Sequence, residues 1–413
     1  MTHSRRDFLN GALAASVGAT ARGASSVPEA GPRIARVDTF PIVYPTIGRF
    51  KFLEGPRGEP GGRPAVLVRL TAEDGTTGWG QSVPIPRWSY ETIEGVDSTI
   101  RKYLAPLLVG RDPLDFDGIH AAMGKAIAPS FSTGQPICKA GIDLALHDLA
   151  GKLRGTPAVG GDGWRKVAGK HGPGNGRVLL SWTLNPRSLD EVEGLVAKGK
   201  ERGYQHFNVK VAPDPKVDLE LCRIVRRLAP DGFLWADANG GYDEATALDV
   251  APKLADLGVP VLEQPLPANR LGGYRRLRQQ KALPILMDEG IVSSVELIEF
   301  IKLGLLDGVA MKPARCGGLT EARRQIEILR DEGLMVLGSG LTDPDVSLAA
   351  SLRLFDACGL EAPAALNGPQ FLSGSVLKAP FEVSGGMLRV PEGPGLGVEV
   401  DESRIEPFAV KLG

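Results

Sequence analysis

The chain has 413 residues, enough for two domains, with 43% hydrophobic residues and a formal net charge of −1. Nothing in that balance marks a nucleic-acid binder or a polybasic membrane-surface protein, and no apolar run is long enough to span a bilayer. Cys138, Cys222, Cys316 and Cys358 lack CxxC spacing, which argues against zinc or redox chemistry and for buried thiols.

Residues 1–32 begin with Ser4-Arg5-Arg6-Asp7-Phe8-Leu9 and a run of small residues to Ala21, the pattern of a twin-arginine export signal and linker, which predicts a periplasmic protein. Residues 33–160 predict an α+β capping domain. Its parts are a strand from Ile34, a hairpin turning at Asp74-Gly75, and helices over 90–108, 115–127 and 139–154, the last strongly amphipathic. The Gly-rich stretch 49–62 is too long for a mere connection and predicts a lid. Ser130, Ser132, Thr133 and Lys139 either face a pocket or solubilise a loop; His147 reads as a core histidine and His206 as lying outside any pocket.

From 176 to 370, strand and helix patterns alternate. Apolar runs end at Lys210, Asp237, Glu263, Asp288, Lys312 and Ser339, at intervals of about 25 residues, each followed by turn chemistry. One strand, loop, helix and loop take about that length, and a right-handed crossover lays the next parallel strand beside the last. A single acid after a strand is explained by helix capping, whereas recurrence at one position points to a shared rim. The prediction is an α/β fold, a (β/α) TIM-type barrel of eight strands running from Val178 to Ala364-Ala365-Leu366-Asn367, with its active site at the C-terminal rim. Residues 371–413, with short strands at Met387 and Gly397, are predicted to pack back on the capping domain.

The stretch Asp143-Leu-Ala-Leu-His-Asp-Leu-Ala-Gly-Lys152, with Asp237-Ala-Asn239, Glu263-Gln-Pro, Asp288-Glu289, Cys316-Gly-Gly-Leu and Pro394-Gly-Leu-Gly-Val-Glu-Val-Asp401, resembles the enolase superfamily. More narrowly, it resembles the mandelate racemase and muconate lactonizing enzyme group. The resemblance implies that Asp237, Glu263 and Asp288 hold Mg²⁺, a hard cation suited to carboxylate oxygen, which would stabilise an enediolate formed from a carboxylate substrate. A Lys or His base working beside Mg²⁺ is the general arrangement of that superfamily. The resemblance further implies Lys210 and Lys312, four strands apart, as acid and base on opposite faces of the substrate, each brought towards neutrality by burial and the metal.

Substrate binding is assigned to Asn208, Asn239, Arg315, Asp343, Asp345 and Asn367, with two qualifications. Arg315 is equally placed to anchor a neighbouring carboxylate, and Thr342-Asp343-Pro344-Asp345 is equally readable as a helix start. Two departures from the family pattern stand out. Asn208 replaces the first lysine of the usual Lys-x-Lys, and the seventh strand end, Leu337-Gly-Ser339, has no histidine, which excludes a His/Asp base pair of the mandelate racemase kind. The expected activity is racemisation or epimerisation, with dehydration and cycloisomerisation open on the same intermediate. A barrel glycosidase using Glu263 and a non-catalytic exported binding protein are the readings of other classes. The implied partners are a small-molecule carboxylate and further copies of the chain, with neither nucleic acid nor membrane.

Overall fold

In the computed structural model the described residues are 31–413 except Pro56, Pro60, Phe131 and Gly413; the expected export signal lies outside them. Strands β1 (Ile34–Tyr44), β2 (Arg63–Ala72) and β3 (Thr77–Ser82) form an antiparallel sheet in that order. The β2–β3 hairpin turns where expected. Asp74 Oδ1 accepts the Thr76 N–H at 2.9 Å, and Gly75 adopts φ +86°, a conformation that suits glycine.

The helix Pro136–Arg154 lies across this sheet, and glycine sets how closely. A Cβ on Gly80 would fall 1.9 Å from the Gly141 carbonyl oxygen, so the backbones meet without side chains between them. This helix is not amphipathic, contrary to its sequence pattern. Residues on all its faces are buried, because the cap sheet covers one side and the barrel the other. The helix expected over 90–108 is interrupted by a wider turn at Ile100–Leu104. Pro106 has no N–H to return to Lys102 and its ring crowds that carbonyl, which opens the turn.

Seven parallel strands follow in sequence order: β5 (Trp182–Leu184), β6 (Phe207–Lys210), β7 (Leu234–Asp237), β8 (Val261–Glu263), β9 (Ile285–Met287), β10 (Gly308–Met311) and β11 (Met335–Gly338). Ala364 and Ala365 close the barrel. Ala365 N donates to Gly338 O at 2.8 Å on one edge, and Ser181 N donates to Ala364 O at 2.9 Å on the other. The eighth strand is thus reduced to a pair of bridges.

Val178 does not begin the barrel as the sequence suggested. It lies in β4 (Arg177–Leu179), which pairs antiparallel with β12 (Met387–Arg389), so that late strand joins the segment leading into the barrel rather than the cap. The cap sheet is reached instead by Ala409, bridged to Ile42, and by Val410 N on Pro41 O at 3.1 Å.

Trp235, Val261, Leu286, Ala310, Leu337 and Ala365 pack together, one from each of six successive strand positions. They plug the barrel, each large buried aliphatic contributing about 1.5–3 kcal/mol. Side chains alternate along a strand, so the residues two places on project into the same interior, one layer nearer the rim. Those residues are Asp237, Glu263, Asp288, Lys312, Ser339 and Asn367. A plug of apolar side chains therefore forms the floor of a polar rim.

Candidate active site

Lys210 and Asp237 are register partners on β6 and β7, and Asp237 and Glu263 on β7 and β8. Asp237, Glu263 and Asp288 are each at most 1% exposed. The Lys210 ammonium is hydrogen-bonded to Asp237 Oδ2, and Lys312 Nζ to Asp288 Oδ2 at 2.5 Å. Asp237 Oδ1 accepts from Asn239 N at 2.9 Å, and Asn239 Nδ2 bridges Asp237 Oδ2 at 3.2 Å and Glu289 Oε1 at 3.1 Å. Asn239 and Gln264 turn the chain in the left-handed region, φ +45° and +40°, just after Asp237 and Glu263. Strain of this kind, about 1–3 kcal/mol per residue, gathers at functional rims. Gln264 Oε1 in turn accepts Asp288 N at 2.8 Å, tying the second acid's turn to the third acid.

The electrostatics follow from crowding. Burial and the neighbouring Asp237 and Asp288 push Glu263 well above the usual carboxylate range. Burial raises Asp288 too, but Lys312 and Arg315 outweigh it and hold Asp288 low. Glu289 is lifted to about 7 by burial and by Asp288 and Asp237. Lys210 was expected to move towards neutrality. Burial does pull its pKa down, but Asp237, Glu263 and Asp288 pull harder and leave it raised.

Among the described residues no three His, Cys, Asp or Glu side chains are already drawn together around a cation position. The reason is visible at the rim, where Lys210 occupies Asp237 and Lys312 with Arg315 occupies Asp288. The donor set nevertheless fits a hard divalent cation: three carboxylates are buried on one rim, Asp237 and Asp288 add to the cost of charging Glu263, and Glu263 Oε1 is buried with no hydrogen-bond partner.

The rim is roofed by the cap. Phe50, Phe52 and Trp88 close a cavity of about 20 Å³ over Asn208, Lys210 and Lys312, and Lys312 Nζ lies 4.7 Å from the Trp88 ring centroid. From the stretch 49–62, Phe50 and Phe52 are the residues that reach this cavity. Arg49 pairs with Glu54 at 2.7 Å and donates to Asn185 O at 3.0 Å, while Phe50 stacks on Phe371 at 4.9 Å. Sequence reasoning located this lid but missed Lys51, which its Phe-Lys-Phe setting could have flagged. Beyond Trp88 a cavity of about 930 Å³ is lined by Ser130, Ser132, Thr133, Glu289 and Arg315.

Of the residues assigned to substrate binding, Asn208, Asn239 and Asn367 line the small rim cavity. Three others do not. Arg315 is turned onto Asp288 and Ala310 O, the anchoring role that was its alternative. Asp343 accepts from Ser347 Oγ at 2.9 Å and Asp345 from Ser375 Oγ at 2.6 Å and Val376 N at 2.8 Å. Both acids are therefore structural, because the helix Asp345–Cys358 and the C-terminal segment supply donors that the sequence pattern did not reveal. Lys139 is likewise spent on Ile127 O at 2.9 Å. His147 is packed between Phe116 and Trp164, with Thr320 Oγ1 at 3.0 Å, and His206 Nδ1 accepts Phe233 N at 3.0 Å at the opposite end of the barrel. All four cysteines are buried thiols.

Residues 191–404 match the family described as "Enolase C-terminal domain-like", and residues 58–160 match "Mandelate racemase / muconate lactonizing enzyme, N-terminal domain". A chloromuconate cycloisomerase of Cupriavidus necator is 31% identical over 352 residues, covering 83% of this chain and 90% of that one. An N-succinyl-L-Arg/Lys racemase of Bacillus cereus is 26% identical over 349 residues, covering 84% and 90%. The crystal structure of a muconate lactonizing enzyme from Klebsiella pneumoniae superposes with a TM-score of 0.80 at 26% identity, covering 92% of this chain and all of that one.

Proposed function

The chain belongs to the mandelate racemase and muconate lactonizing enzyme group of the enolase superfamily and is an enzyme of that superfamily; from this premise we propose that it removes and returns the α-proton of a small-molecule carboxylate, as a racemase or epimerase. The observation that carries the reading is the placement of two amines on one roofed rim. Lys210 on β6 and Lys312 after β10 both line the same cavity, one beside Asp237 and the other beside Asp288, with three strands between them.

Asp237, Glu263 and Asp288 are the residues that would hold Mg²⁺. Bound there, the cation supplies Lewis-acid stabilisation of the negative charge that develops on a substrate carboxylate. The remaining work belongs to the chain. Whichever lysine is neutral takes the α-proton on its own face, and the opposite ammonium delivers a proton to the other. Phe50, Phe52 and Trp88 keep bulk water from competing for that proton. Asn208 and Asn367, each with a buried side-chain oxygen lacking a partner, are placed to meet polar groups of the substrate.

Cycloisomerisation is the second reading, favoured by the names of the muconate and chloromuconate relatives. The Arg5-Arg6 start supports a periplasmic setting. The deciding experiment incubates single enantiomers of a carboxylate panel with Mg²⁺ in D₂O, followed by NMR and chiral chromatography. Deuterium at the α-carbon together with the opposite enantiomer supports racemisation. A ring-closed product supports cycloisomerisation and a keto acid dehydration, and turnover undiminished by EDTA would sink the metal-dependent reading.

A further inference from the structure

Asn208 leaves the rim short of a positive charge. It is 1% exposed, lines the cavity beside Lys210, and neither its Oδ1 nor its Nδ2 has a hydrogen-bond partner. A neutral amide at that point can orient a carboxylate, but it cannot offset a full negative charge in a buried site.

The lid brings a cation to the same edge of the barrel. Asn185 follows directly on β5, whose last residue, Leu184, is in register with Val209, the residue between Asn208 and Lys210. The Asn185 side chain, with its amide oxygen turned to the donors, accepts Lys51 N at 3.1 Å, and Arg87 Nη1 donates to Lys51 O at 3.3 Å. The backbone of Lys51 is thus tied to Asn185, the residue that follows β5 at its C-terminal end, and β5 is the strand paired with β6. Its Nζ lies 4.9 Å from the ring centroid of Phe52, a ring that lines the rim cavity. Among the described residues Lys51 has no ion-pair partner within bonding distance. Burial and the nearby Lys210 hold its pKa below the ordinary lysine value, against the longer-range pull of Asp237 and Glu289.

We propose that Lys51 is the residue that binds the substrate carboxylate, a lid-borne cation standing where the barrel's second strand carries Asn208. This rests on the carboxylate reading above and adds a consequence to it. The cation is supplied only with the lid down, so an anionic substrate stabilises closure through Lys51 while Phe50 and Phe52 shut out water. Substrate recognition and sealing of the site become one event, which a lysine fixed on the barrel would not achieve.

The test uses oxalate as probe, a small planar dianion whose adjacent carboxylates mimic the charge of an enediolate, titrated calorimetrically into the full chain with saturating Mg²⁺. Lys51→Gln is expected to weaken oxalate binding about ten- to a hundredfold, the range for one charge-assisted hydrogen bond, with an unchanged melting temperature. Lys51→Arg should keep most of the affinity. Adding Asn208→Lys to Lys51→Gln should restore it to within a few-fold of the wild type, a rescue that a purely structural role for Lys51 does not produce. Undiminished oxalate binding in Lys51→Gln, or no rescue by Asn208→Lys, overturns the proposal and leaves the function reading standing. Failure of the wild type itself to bind oxalate with Mg²⁺ overturns both.

Discussion

Replacing Arg63 by methionine tests how firmly the cap holds the barrel's catalytic edge. Arg63 opens β2, is fully buried, and donates six hydrogen bonds to five backbone carbonyls. Three belong to the cap, Pro64, Pro84 and Val83, each at 2.7 Å. Two belong to the barrel turn after β11: Leu341 at 3.0 and 2.8 Å, and Thr342 at 3.3 Å. That turn lines the rim cavity, and Thr342 sits at φ +55°, which a β-branched residue adopts only under constraint.

The charge is expensive to bury. Desolvation pulls the pKa of Arg63 down to about 9, and only Asp343 and Tyr44 oppose it. Methionine removes that cost but leaves five carbonyls without donors, at about 1 kcal/mol each. Removing one side of a buried charged network typically costs about 3–5 kcal/mol net, and the same loss is expected here. Urea unfolding, followed by circular dichroism and by tryptophan fluorescence, measures it. Arg63→Lys, with three donors for five acceptors, should fall between. An Arg63→Met midpoint within about 1 kcal/mol of the wild type would refute the idea that this guanidinium clamps cap to rim.

Other expectations follow from the same geometry. Lys210→Ala and Lys312→Ala should each slow deuterium exchange of one enantiomer by about 10²- to 10⁴-fold and spare the other; equal loss for both enantiomers in both variants, with Mg²⁺ binding intact, would count against two opposed bases. Mg²⁺ at about a hundred times its dissociation constant should stabilise the wild type by about 2.7 kcal/mol, and Glu263→Gln should lose most of that thermal shift. Glu91 accepts Ile137 N at 2.8 Å and Cys138 N at 2.7 Å at the start of the helix Pro136–Arg154, and burial lifts its pKa from 4.5 to about 7. A carboxyl whose folded pKa is the higher one holds its proton more tightly when folded. Its stabilisation is complete below the unfolded value and disappears as pH rises through the folded one, a decline of about 3 kcal/mol between about pH 4.5 and 7. Glu91→Gln should flatten that decline in urea midpoints taken at pH 5 and pH 8; a slope equal to the wild type's refutes the assignment.

The rim was legible because two periodicities coincide there. A strand-to-strand interval of about 25 residues marks successive βα units, and side-chain alternation puts Asp237, Glu263, Asp288 and Lys312 one layer above Trp235, Val261, Leu286 and Ala310. Both are short-range properties of the backbone, so they survive in the sequence. The resemblance to a known family rested on the same residues, and the similarity to the cycloisomerases and the racemase extends it along the chain.

Asp343 and Asp345 mark where such reasoning stops. Their spacing suited a substrate site as well as a turn, and the choice was made by Ser347, Ser375 and Val376, donors that come near only when the chain is folded. Arg315 had two open roles for the same reason. Lys51 lies far from the barrel in sequence, and its hydrogen bond to Asn185 is what ties it to the end of β5, the strand next to the one carrying Asn208.

The order of strands and helices and the chemical character of each strand end can be read along the chain, since these depend on neighbours a few residues apart. Which polar groups are spent on one another, which are left without a partner, and which side chains from the cap arrive above the barrel were decided by tertiary structure alone. Such pairings join residues separated by tens to hundreds of positions, and no local pattern records the distances between them.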